Sequence, residues 1–164
     1  NPDTFVALYS MSACCLDPRG VNPSDAALES ITSREEVAKK TPFSLTTFAA
    51  SAAWAPNAGR PPFFLDLPTL NGEPQKDVLA HYAANAPSVM VSQYASQLKR
   101  YSAIVMDIGL QDGLIAGNKA THEALLRNGV EHVFETYEGD HMNKVAERFE
   151  RNVLPFFSRQ LAGK

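Results

Sequence analysis

The chain has 164 residues, of which 45% are hydrophobic and 20% charged, and its net charge is −3. That length supports one domain with a real core, and the composition is ordinary for a globular chain. The charge excludes the basic footprint of a nucleic-acid binder, and no apolar run reaches the roughly 18 residues of a membrane span.

The only cysteines, Cys14 and Cys15, are adjacent. Neighbouring cysteines rarely bridge each other, because the geometry is strained. There is no disulfide framework and no metal-ligand spacing, so neither a metal nor another cofactor is expected. Nothing here assigns a compartment.

Phe5 to Tyr9 is a compact apolar run that reads as a buried strand. It starts almost at the first residue, which suggests a chain that begins inside a larger fold. Asp17-Pro18-Arg19-Gly20 is a loop rich in turn formers. Asn22-Pro23-Ser24-Asp25 opens a short helix through Ile31. Ser33-Arg34-Glu35-Glu36 is a capping-box pattern, placing a second helix to about Lys40. A third covers residues 42–55 and stops before Pro56. Residues 20–62 are thus helical and punctuated by proline, like a cap inserted over a sheet.

Phe63 to Leu67 reads as a short strand or extended segment. Asn71-Gly72 is the turn of the loop that follows. Helices are expected over 75–85 and 88–100, divided by Pro87.

Ala103 to Ile108 is the clearest core signal, a continuous apolar run suited to a strand buried on both faces. A helix over 115–128 ends at Gly129, a C′ glycine. A strand follows at 132–137. The last helix carries Met142, Val145, Phe149, Val153 and Phe156 on one face, with a kink at Pro155. Residues 103–162 thus form a βαβα unit, which implies parallel strands.

Sites in parallel sheets form beyond the carboxyl ends of strands. Asp112 follows one strand and His141 the next, so their loops should be neighbours. A carboxylate that orients an imidazole is half of a Ser-His-acid triad, and the order acid then histidine suits one whose nucleophile comes first. Asp112 also suits a turn or helix cap. Asp107 is the rival acid, but it lies within the strand. Asp140 is read as a loop-shaping residue, and His81, His122 and His132 as surface or structural.

No Gly-x-Ser-x-Gly occurs in the chain, so the nucleophile elbow is missing. Ser10 and Ser12 have no glycine beside them. Cys14 or Cys15 could act as a thiol nucleophile, although buried, inert cysteines are the simpler expectation.

Asn1-Pro2-Asp3-Thr4-Phe5 to Ser12, Asp107-Ile108-Gly109-Leu110-Gln111-Asp112 and Tyr137-Glu138-Gly139-Asp140-His141 resemble the putative-esterase family of α/β hydrolases. That family includes esterase D and feruloyl esterases. The resemblance implies that Asp112 is the triad acid and His141 the base of a serine carboxylesterase. It implies that residues 1–164 are one partial domain, the C-terminal portion of an α/β-hydrolase fold: a mostly parallel sheet, flanking helices and a cap-like insertion. The serine elbow and oxyanion loop would precede Asn1, in a whole protein on the order of 250 residues. The chain alone would then be inactive. Its substrate would be a small-molecule ester. Its other partners would be the missing N-terminal part or a second copy, joined through open sheet edges. The alternatives are a non-catalytic, oligomerising hydrolase module and a cysteine-dependent hydrolase. No nucleic-acid or membrane partner is expected.

Overall fold

The structure is a computed structural model that describes residues 1–18, 22–40 and 42–162. In chain order the elements are β1 (Ala7–Met11), α1 (Pro23–Leu28), α2 (Arg34–Ala38), α3 (Pro42–Trp54), β2 (Thr69–Leu70), β3 (Glu73–Pro74), α4 (Lys76–Ala84), α5 (Pro87–Leu98), β4 (Ala103–Gly109), α6 (Ile115–Arg127), β5 (Val133–Tyr137), α7 (Val145–Arg148), a π-helical turn (Phe149–Val153) and α8 (Leu154–Leu161). Among the described residues, no helix is long and apolar enough to cross a membrane.

The chain divides into two compact units. One comprises Asn1–Asp17 and Ala86–Lys164, the other Pro18–Asn85. The first holds a parallel sheet of order β1-β4-β5 with flanking helices, an α/β arrangement. In register, Tyr9 lies opposite Val105, and Asp107 lies between Met11 and Glu135. Side chains alternate across a strand. The even-numbered residues of β4, Ile104 and Met106, therefore share one face with Phe134, where they pack with Val91, Ala124, Leu125 and Val130. The odd-numbered positions present Tyr9 to Phe156, with ring centroids 5.4 Å apart. Among the described residues β1 and β5 pair only with β4, so both outer edges of the sheet are open.

β4 is buried through its second half, Asp107 included, as its largely apolar run predicts. β1 differs from expectation. It begins at Ala7 rather than Phe5, and Phe5 is exposed. An apolar run marks burial potential, whereas ladder hydrogen bonds mark the strand. The first bonded partner on β4, Ala103, faces Ala7.

The C-terminal helix also departs from its pattern. Only Val153 and Phe156 of the expected stripe are buried, while Met142, Val145 and Phe149 stay exposed. The break falls before Pro155 as a π-helical turn. Proline has no N–H to give the carbonyl four residues back, and the ladder widens there.

The chain leaves this unit after Asp17 and re-enters at Ala86. Ser88 donates its N–H to the Leu16 carbonyl at 2.8 Å, so the exit and re-entry points lie side by side.

In the second unit the capping box forms as read. The Ser33 side chain accepts from Glu36 N, and the Glu36 carboxylate accepts from Ser33 N at 3.3 Å. Asn71 and Gly72 have φ of 54° and 78°, joining β2 and β3 in a two-residue turn that needs left-handed backbone. Both of their N–H groups donate to Glu29. Residues 63–67 do not form a strand; their only bridge is Leu65 with Pro56. Phe48 packs edge-on to Phe63, and Trp54 to Tyr82, within the unit's own core. The Phe43 side chain, and Arg19 and Gly20 of the expected loop, lie outside the described residues.

Candidate active site

β4 and β5 are parallel and end level, with Gly109 opposite Tyr137. Their exit loops therefore run side by side. Leu110 N donates to the Tyr137 carbonyl at 2.8 Å, and Gln111 N to the Gly139 carbonyl at 3.0 Å. The approach is close enough to require glycine. A Cβ on Gly109 would lie 2.2 Å from the Gly139 oxygen, which is backbone and cannot swing away.

The Gln111 side chain adds a second tie. Its Oε1 accepts from Gly139 N at 2.7 Å, and its Nε2 donates to Glu138 at 2.8 Å. With its own N–H, Gln111 makes three bonds to the histidine loop.

This lacing sets Asp112 against His141. His141 Nδ1 lies 3.0 Å from Asp112 Oδ2. The Asp112 side chain is 2% exposed and that of His141 37%. The carboxylate only accepts, so the contact assigns the ring proton to Nδ1 and leaves Nε2 as the basic nitrogen. The other carboxylate oxygen, Oδ1, accepts from Leu114 N at 2.9 Å. Asp112 is thus both the turn former and the partner of the imidazole.

Asp140 shapes the loop, as read. Its Oδ1 accepts from Met142 N and Asn143 N, both at 2.8 Å. These two bonds hold its carboxyl below the usual carboxylate range.

Asp107 is not at this pair. It is fully buried on the odd-numbered face, and one oxygen takes its polar contacts: Tyr9 Oη at 2.6 Å, Arg148 Nε at 2.9 Å and Arg148 Nη2 at 2.6 Å. The same Nη2 reaches Glu135 at 2.6 Å, and the guanidinium lies 4.7 Å over the Tyr137 ring. Its partners are thus the Arg148 guanidinium and the Tyr9 hydroxyl. Burial, then the hydrogen bond to Asp107, pushes the Tyr9 hydroxyl well above the ordinary tyrosine range.

Ser12 is buried, with φ of 43°, and its Oγ lies 3.2 Å from Tyr137 Oη. Cys14 and Cys15 are both exposed, contrary to the expectation of burial. The backbone bends at both, with Cys15 at φ of 58°. His81 Nδ1 donates to the Trp54 carbonyl at 2.8 Å, and His122 pairs with His132 at 2.7 Å. No group of three or more metal-ligating side chains occurs among the described residues. A cavity of about 770 Å³ opens at the other end of the sheet, lined by Ser102, Glu131 and Arg159 and not by the Asp112–His141 pair.

Sequence reading missed Gln111, because nothing in a lone glutamine signals that it bridges two loops. It also missed Arg148, which sits in a helix pattern like any surface arginine.

No protein-family model matches the chain, and no curated protein does. Among solved structures the chain is similar to a ferulic acid esterase, with a TM-score of 0.53 and 19% sequence identity. The similarity covers 98% of this chain and 44% of that one, so the chain spans less than half the length of the esterase it matches. At this identity the likeness is one of fold: a parallel sheet with flanking helices, arranged as in part of that enzyme.

Proposed function

We propose that the chain carries the acid and the base of a serine carboxylesterase centre, with His141 as general base and Asp112 as its orienting carboxylate. The observation that carries this is the 3.0 Å contact between Asp112 and His141, a buried acid and a half-exposed imidazole on neighbouring strand-end loops. The similarity to part of a ferulic acid esterase supports it.

In this reading Nε2 removes the proton of a serine hydroxyl as the hydroxyl attacks an ester carbonyl. Asp112 holds the tautomer and stabilises the imidazolium. The imidazolium then protonates the departing alkoxide, and the same nitrogen later activates the water that frees the enzyme. The serine comes from sequence outside these 164 residues, which contain no Gly-x-Ser-x-Gly. The 44% coverage of the similar esterase is in keeping with this.

The full translated product of the gene tests it. It should hydrolyse p-nitrophenyl acetate and take up a fluorophosphonate probe. Asp112→Asn should lower kcat by roughly 10⁴-fold and His141→Ala by roughly 10⁶-fold. Turnover that survives His141→Ala would refute the assignment. Turnover blocked by iodoacetamide but not by fluorophosphonate would favour the exposed thiols Cys14 and Cys15.

The open edges of β1 and β5 support a second reading for the 164-residue chain by itself, a module that pairs through its sheet. Native mass spectrometry of that chain should show dimers or higher species, and a strict monomer would count against it.

A further inference from the structure

We infer that Gln111 is the positioning residue that sets the geometry of the Asp112–His141 pair. The inference rests on the acid–base reading above and deepens it.

Asp112 and His141 lie on different loops and are separated along the chain by the whole of α6 and β5. Their side-chain contact is therefore only as good as the registration of the two loops. Beyond the sheet, the backbone bonds holding that registration are Leu110 to Tyr137 and Gln111 to Gly139. The Gln111 amide adds two more, accepting from Gly139 N at 2.7 Å and donating to Glu138 at 2.8 Å. Gly139 is two residues before His141, and Gln111 is one before Asp112. The amide thus clamps the two loops immediately beside the pair.

Gly139 N–H has a particular need for this acceptor. Gly139 is buried, and a buried N–H must be bonded or cost stability. Only a side chain carrying both an acceptor and a donor can serve Gly139 N–H and the Glu138 carboxylate together. A glutamate at 111 would retain the acceptor but face Glu138 with like charge. Gln111 itself is exposed, so its bonds are not explained by core packing.

The measurement has a kinetic and a spectroscopic arm, both on the full translated gene product. Gln111→Ala should lower kcat by about 10²-fold, the scale of a displacement near 1 Å. KM for p-nitrophenyl acetate should hold, while the unfolding midpoint falls by a few degrees as the buried Gly139 N–H loses its acceptor. The downfield ¹H signal of the His141 Nδ1 proton should weaken or vanish. Gln111→Glu should behave like Gln111→Ala, and adding Glu138→Gln should restore both readouts, because acceptor and donor are again matched. Unchanged kcat and an unchanged Nδ1 proton in Gln111→Ala would overturn the inference. If Gln111→Ala fails to fold, the paired exchange decides: no loss in Gln111→Glu, or no rescue in the double variant, overturns it. Hydrolysis that survives His141→Ala would instead remove the catalytic reading. The Nδ1 proton in the wild type and in Gln111→Ala would still decide the role of Gln111.

Discussion

Replacing Asp107 by asparagine keeps the shape and removes the charge that anchors Arg148. The Arg148 side chain is 14% exposed and Asp107 not at all. Two guanidinium hydrogen bonds and the Tyr9 hydroxyl converge on one oxygen of Asp107. Charge-assisted bonds contribute about 1.5–3 kcal/mol each, and stripping one partner from a buried pair costs about 3–5 kcal/mol. Glu135 remains 2.6 Å from Arg148 and keeps part of the compensation. The expected loss therefore lies at the lower end, about 3 kcal/mol. For a chain of this size about 1 kcal/mol moves Tm by 2–4 °C, so the midpoint should fall by roughly 6–12 °C. Urea unfolding followed by far-UV circular dichroism measures it, with an unchanged m-value as the control. Adding Arg148→Met to Asp107→Asn should recover part of the loss, because no uncompensated guanidinium is then buried. A loss below about 1 kcal/mol, or strict additivity of the two substitutions, would refute the view that this pair pins the C-terminal helix to the sheet.

Gly109→Ala should destabilise the chain by about 1–3 kcal/mol by forcing the β4 and β5 exits apart, whereas Gly113→Ala should stay within about 0.5 kcal/mol. An added Cβ meets the Gly139 backbone at the first position and nothing within 4 Å at the second; equal losses in urea unfolding would contradict this. Burial first, and the charge of His132 second, hold the His122 pKa below the ordinary histidine value. Its stabilising contribution is present above about pH 6.5 and is lost as pH falls through its folded-state pKa. NMR titration should find its midpoint below that of a free histidine, and His132→Gln should move it upward.

The sequence made the order of strands and helices from Ala103 onward legible, because β4 is an apolar run interrupted only by Asp107 and α6 is followed by the C′ glycine Gly129. It also made Asp112 and His141 candidates, since parallel strands must deliver their exit loops to one end. What it could not show was contact between side chains far apart along the chain. Asp107 reads as an oddity in an apolar strand until Arg148, from a helix beyond β5, is seen against it. The exposure of the cysteines depends on a backbone bend that two adjacent cysteines do not encode. The stripe on the last helix was real as a pattern, but its first half lies before the π-helical turn and faces water.

The bond from Ser88 to Leu16 has a consequence for ancestry. A segment that departs and returns at adjacent points is a topological detour. Residues 18–85 can be lengthened, shortened or exchanged without redirecting β1 or α5. The entropic charge for such changes is light, since doubling a loop adds only about 0.6 kcal/mol. Selection can therefore rework that segment while the strand ends bearing Asp112 and His141 stay where they are. Related chains should differ most in the length of this detour and least in the spacing of the two loops.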